Sequence, residues 1–231
     1  MNGNHDVRSD GWRLMNRRRA LQVAGLGAVG MLGLMTAVPV GAVSSPRMNP
    51  TPWERFRMAM RKLWEDHITW TRLFIVSFTA DLPDLEATTG RLLRNQDDLG
   101  QAFAPFYGEQ TADHIRRLLR AHILGAAALL SAAKSGDANA VDAAREAWYA
   151  NANEIAAFLH NLNPKFWPLE ELRSMMRAHL DLTLAEAVAH LTGDFTGDVD
   201  GYDAVHAEIL EMSDFLANGL IARFPDVVVP L

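Results

Sequence analysis

Helical periodicity runs almost without a break from about Pro52 to Phe224, and it leaves little room for any other kind of structure. Alanine and leucine dominate this stretch, and no alternating β-branched run interrupts it. The breaks that do occur are helix punctuation. Pro83 suits a first helical turn, and Pro105-Phe106-Tyr107-Gly108, Asn163-Pro164 and Thr192-Gly193-Asp194 stop helices. Gly136-Asp137 pairs a C′ glycine with an N-cap aspartate. The spacing predicts six helices: Pro52 to about Ala80, Pro83 to about Phe106, Thr111 to Ser135, one through Trp148 to Leu162, Pro168 to Thr192, and Val199 to Phe224. Short connections make consecutive helices antiparallel. The expected fold is therefore all-α, an up-down bundle of about six helices.

The six helices read as three hairpins of one type. Arg120-Ala121-His122 recurs downstream as Arg177-Ala178-His179, and Gly136-Asp137 recurs as Gly193-Asp194 at the same offset. Glu154 then matches Glu211, and Asn151 matches Glu208. The first copy is fainter. His67 stands to His122, and Asn95 and Asp98 stand to Asn151 and Glu154, at slightly shorter offsets.

The repeat places polar residues on faces that should be buried. His67, His122 and His179 each have apolar neighbours at helical spacing above and below. Asn95, Asn151 and Glu208 occupy matching positions on the return helices, with Asp98, Glu154 and Glu211 at i+3. Thr183, Glu186 and His190 continue the stripe of His179. Uncompensated polar groups in a core cost several kcal/mol, so these must pair or coordinate something.

Two outcomes satisfy them. One is a metal site with His67, His122, Glu154, His179, Glu186 and Glu211 as ligands, and Asn95, Asp98, Asn151 and Thr183 contacting a bound ligand. Iron, manganese or zinc suits such N/O donors, with copper possible. The other is a hydrogen-bond network that locks helix register. The Glu-x-x-His signature of ferritin-like bundles is absent. Arg72, Arg94, Arg120 and Arg177 read as partners for surplus carboxylates, and Met175, Met176 and Met212 as core gap-fillers.

The N-terminus reads as a targeting segment over residues 1–42. Asn16-Arg17-Arg18-Arg19-Ala20-Leu21-Gln22 resembles the twin-arginine export motif, with Ala20 and Gln22 departing from it. An uncharged apolar stretch follows, and Val40-Gly41-Ala42 suits cleavage after Ala42. Left uncleaved, that stretch would be long enough to anchor the chain in a bilayer. Gly25-Leu26-Gly27-Ala28-Val29-Gly30 matches G-x-G-x-x-G by letter only, since no strand precedes it. Residues 43–52 form a Ser/Pro-rich linker, and 53–231 the helical domain.

Charge and composition narrow the partners. The formal net charge is −6, and the arginines of the leader (Arg8, Arg13, Arg17, Arg18 and Arg19) leave the remainder more acidic still. An acidic domain disfavours nucleic acid and anionic membrane as partners, leaving a metal or small ligand. With no cysteine there is neither a disulfide framework nor a thiolate site. P-loop, G-x-S-x-G and H-E-x-x-H patterns are all missing.

Several segments together resemble a family of exported bacterial all-helical proteins. They are Leu63 to Arg72, Asn95 to Gly100, Pro105 to Gly108, Trp148 to Ala152 and Met176 to Thr183. The resemblance covers about Trp53 to Pro225. It implies a secreted all-α domain and supplies no catalytic residues. The sequence thus leads to an exported helical-bundle protein binding a metal or small polar ligand. A non-catalytic envelope or extracellular structural protein and a metal-dependent oxidoreductase are the alternatives.

Overall fold

The computed structural model describes residues 49–227. The leader, its cleavage point, most of the linker and the last four residues lie outside that range. Among the described residues the fold is an all-helical bundle. Six long helices are α1 (Pro52–Thr79), α2 (Leu85–Gln101), α4 (Glu109–Ser135), α5 (Ala138–Leu162), α6 (Leu169–Thr192) and α7 (Phe195–Arg223), and α3 (Ala104–Tyr107) is a single turn.

Local chemistry sets the helix ends. Thr51 and Glu54 form a reciprocal capping box at the start of α1, with Pro52 in the first turn. Gly136 and Gly193 end α4 and α6 at φ 75° and 81°, a left-handed conformation that side chains with a Cβ resist. The aspartates that follow them cap the next helices: Asp137 accepts from the Asn139 and Ala140 amides, and Asp194 from that of Gly197. Because Asp194 caps in this way, α7 starts at Phe195, four residues before the Val199 that periodicity suggests. Pro83 lies in the turn before α2 rather than in its first turn, and the expected second helix is broken after Gln101 into α2 and α3.

Each hairpin packs on itself, α1 on α2, α4 on α5 and α6 on α7. Contacts of α2 with α4, α5 with α6 and α7 with α1 close the six long helices into a circle. The larger apolar cluster includes Phe56, Phe103, Trp148, Trp167 and Leu216. A smaller one holds Phe74, Ile75, Leu92, Ile123, Leu130 and Ala187. His67, Gln96 and His179 stand close to where α1, α2 and α6 pass from the larger cluster to the smaller, while α4 feeds both clusters beyond His122. No described helix is long and apolar enough to cross a membrane.

Two glycines test this packing. A Cβ on Gly219 would overlap the indole of Trp167, which is fully buried, whereas one on Gly90 meets nothing within 4 Å. Gly219→Ala should destabilise by about 1–3 kcal/mol through overpacking. Gly90→Ala should stabilise by roughly 1 kcal/mol through helix propensity. Urea unfolding of the two variants reads both signs.

Candidate functional site

The three histidines come together. His67 from α1, His122 from α4 and His179 from α6 are 4%, 5% and 4% exposed. The ring centroids of His67 and His179 lie 5.6 Å apart, and those of His122 and His179 6.4 Å. Trp64 meets the His67 ring edge-on at 5.8 Å, and Trp148 stacks on His122 at 5.4 Å. A cavity of about 30 Å³ adjoins them, lined by the three histidines and by apolar side chains. That is room for a water molecule or an ion.

Each imidazole is held through Nδ1 by the return helix of its own hairpin, at i+29 in every case. His67 Nδ1 meets Gln96 Nε2 at 3.2 Å, His122 Nδ1 meets Asn151 Oδ1 at 2.9 Å, and His179 Nδ1 meets Glu208 Oε2 at 3.1 Å. These partners dictate where the ring protons sit. Asn151 Nδ2 donates to the Leu118 carbonyl, which turns its Oδ1 toward His122, so His122 Nδ1 carries the proton. Glu208 only accepts, so the same holds at His179. At His122 Nε2 is then a bare lone pair, and neither ring makes a hydrogen bond through Nε2 among the described residues.

His67 is set the other way. The Leu92 carbonyl and Asn95 Oδ1 turn the Gln96 amide nitrogen toward His67 Nδ1; its two N–H groups are shared among these three acceptors, and a His67 Nδ1 that accepts one leaves the ring proton on Nε2.

Burial keeps His67 and His122 neutral. Desolvation, then the neighbouring His179 and His122, hold His67 well below the ordinary imidazole range. Desolvation, helped by His179 and opposed by the Asn151 hydrogen bond, pushes His122 down to about 3. Beside the triad, Gln96 Oε1, Glu208 Oε1 and the Trp64 and Trp148 indole nitrogens are buried without a protein partner. Such atoms are rare in folded interiors, and Tyr107 Oη, Asn163 Oδ1 and Trp167 Nε1 are buried in the same way among other residues.

The other residues proposed from sequence are placed differently. Asp98, Glu154 and Glu211 are exposed and do not approach the histidines. Asn151 and Glu208 sit at the margin of their buried faces, and a further step of three residues turns the side chain by about 60° toward solvent. Asn95 is buried but donates to the Leu63 carbonyl rather than to a histidine. In the first hairpin Gln96 meets the histidine and Asn95 caps the carbonyl four residues before it, two tasks that Asn151 performs alone in the second. Aligning the two hairpins on their asparagines pairs Asn95 with Asn151 and passes over Gln96. Aligning them on His67 and His122 pairs Gln96 with Asn151 instead. Thr183 lies one turn beyond His179, against a second apolar cavity shared with Phe74 and Leu129.

Glu186 belongs to a separate charged cluster. Arg72 Nη1 donates to Glu186 Oε1 at 2.9 Å, and Arg72 grips both oxygens of Asp198 at 2.7 and 2.8 Å. His190 Nδ1 is 3.0 Å from Asp198 Oδ2. At Asp198 desolvation pushes the pKa up, but the Arg72 and His190 bonds and charges together outweigh it, so the carboxyl stays below its usual range. Glu186 has one bond to Arg72, and there desolvation wins and raises the pKa to about 7.

Among the described residues, no three His, Asp or Glu side chains stand in the geometry of a closed metal site. Three imidazoles bound tetrahedrally through Nε2 would bring ring centroids to about 5 Å. The observed 5.6 and 6.4 Å are wider, and each ring would have to move inward. The donor set that could close is nitrogen only among the histidines, since Glu154, Glu186 and Glu211 do not reach the triad. Comparison with protein families, with curated proteins and with solved structures returned no match.

Two measurements check these assignments. Because the folded pKa of Glu186 exceeds its unfolded value, the fold binds more protons than the unfolded chain between about pH 4.5 and 7. This carboxyl's contribution is therefore complete below about pH 4.5 and lost as pH rises through about 7, on the order of 3 kcal/mol in all. The stability difference between wild type and Glu186→Gln should shift by that amount across the window; a constant difference would place the carboxyl in water. For His122, ¹⁵N NMR should show a neutral ring protonated at Nδ1 with no titration between pH 8 and 5. A midpoint near the ordinary value would mean that the ring is wet.

Proposed function

We propose that this is an exported binding protein holding a single metal cation at the level of His67, His122 and His179. The observation that carries the reading is the convergence of three buried imidazoles, with ring centroids 5.6 and 6.4 Å apart, two of them fixed through Nδ1 by Asn151 and Glu208. Metal-binding histidines use their second nitrogen in this way, donating it to an amide or carboxylate that fixes tautomer and orientation. Asn151 and Glu208 supply those acceptors. Gln96 supplies a donor instead, so recruiting His67 requires its amide to turn its unpaired Oε1 toward Nδ1. Nitrogen donors without a carboxylate favour zinc or copper over manganese, and they suit iron less than a mixed N/O set would.

The leader gives this reading its cellular setting. A twin-arginine-type segment implies export of an already folded protein, a route that allows a metal to be inserted first. The constant i+29 step from each histidine to its partner supports descent of the three hairpins from one ancestral unit.

The His67 tautomer favours a second reading, in which the triad is a structural network. A cavity of this size beside three imidazoles suits a buried water, which can accept from an Nε2–H of His67 and donate to a bare Nε2 of His122. Metal analysis separates the two. Chain purified from its native host should carry about one equivalent of a transition metal. His122→Asn and His179→Gln should lose the metal while keeping their helical circular dichroism. Trace metal only, with both variants destabilised, would leave the network reading.

A further inference from the structure

Two polar rungs face each other where α5 and α6 run side by side. Tyr149 and Asn153 stand one turn apart on α5, and Arg173 and Arg177 one turn apart on α6. Between them opens a surface cleft of about 310 Å³, within the size range of small-molecule sites. Ser174 joins the polar wall, and the buried side chains of Ala152 and Met176 supply an apolar patch. Most of the surface that the cleft presents is polar.

We propose that this cleft binds a small organic acid, its carboxylate held by Arg177, Asn153 and Ser174 and its carbon skeleton resting on Ala152 and Met176. The proposal is independent of the metal-binding reading. Three observations carry it. The first is orientation. The Arg177 guanidinium lies over the Tyr149 ring, 5.9 Å from its centroid, and the Tyr149 hydroxyl donates to Asp181 on α6. Asp181 fixes the ring, and the ring in turn holds the guanidinium. A guanidinium set on an aromatic face keeps its N–H edges free for a planar oxyanion. Arg177 takes part in no ion pair among the described residues, so those edges are open to a ligand.

The second is the balance of donors and acceptors. Arg173, Arg177, Asn153 and Ser174 all bring hydrogen-bond donors to the cleft, and Glu170 is the one carboxylate in its wall. Glu170 already accepts from Arg173 at 2.8 Å, and both side chains are exposed. Ion pairs of that kind hold weakly, so an arriving carboxylate can displace Glu170 from Arg173 or share it.

The third is contrast with the rest of the chain. The formal net charge is −6, so the surface as a whole repels anions. At the cleft the balance reverses locally, and a third guanidinium, that of Arg145, lies 5.6 Å from the same Tyr149 ring. The apolar patch then favours an organic acid over a bare inorganic anion, which has no skeleton to cover it.

The test is a titration of the ¹⁵N-labelled full chain with sodium benzoate at fixed ionic strength, followed by NMR. Benzyl alcohol, which lacks the carboxylate, and inorganic phosphate, which lacks the skeleton, are run alongside. Saturable shifts with benzoate are expected at the Asn153 side-chain amide and the Arg177 Nε–H. Arg177→Gln alters an exposed side chain and should weaken benzoate binding at least about tenfold, with helical circular dichroism unchanged.

Glu170→Gln should act in the opposite direction. It removes the competing carboxylate and should tighten binding by up to about fivefold. A merely structural role for these side chains would not give opposite signs. Absence of saturation, benzyl alcohol bound as tightly as benzoate, an affinity indifferent to Arg177→Gln, or weaker binding by Glu170→Gln overturns the proposal. Phosphate bound as tightly as benzoate overturns the assignment to an organic acid and makes the cleft a general oxyanion site.

Discussion

An imidazole in an apolar interior has to find partners for its polar atoms, and in this bundle three of them do so at one level. The desolvation of each ring is offset by a hydrogen bond between its Nδ1 and the return helix of its own hairpin. That bond forms only if the two helices of the hairpin stand in the correct vertical register. Burial of the histidines and alignment of the hairpins are therefore the same constraint, imposed three times around the circle. The apolar clusters on either side can be filled by many side chains, but the polar level admits few arrangements.

The charged cluster of Arg72, Glu186, Asp198 and His190 applies the same logic between hairpins. Arg72 belongs to α1, Glu186 and His190 to α6, and Asp198 to the first turn of α7, so this cluster ties the first hairpin to the third. An aspartate near a helix N-terminus also sits favourably in the helix dipole. Burial stores a conflict here. One arginine serves two carboxylates, and the carboxylate with the single bond, Glu186, is held toward its neutral form. Polar specificity thus appears twice: among imidazoles at the centre and among charges where α1, α6 and α7 meet.

Much of this architecture is readable in the chain. Gly136-Asp137 and Gly193-Asp194 announce two hairpin turns because backbone conformation and capping are local chemistry. His67, His122 and His179 can be assigned to the interior because helical spacing puts apolar residues above and below each of them. Their partners are harder. Asn151 and Glu208 sit at the margin of a buried face, where a shift of one residue turns a side chain in or out. Asn95 and Gln96 are adjacent, and both are buried in α2. Periodicity alone does not say which of the two meets the histidine, and the constant i+29 step does. Asp98, Glu154 and Glu211 escape the spacing argument for a related reason: i+3 is a neighbour on the helix surface without being at the same angle.

By itself, then, the amino-acid order determined an all-helical chain, the positions of most helix ends, the three hairpins and the burial of one histidine in each. These follow from interactions spanning only a few residues. The tertiary structure decided which nitrogen of each ring is bonded and which is left free. It decided that Glu186 answers to Arg72 rather than to the triad, and that three methionines face the same cavity as the histidines. Those outcomes depend on how helices distant in sequence are rotated and stacked, which is set only when the circle of six closes around a shared interior.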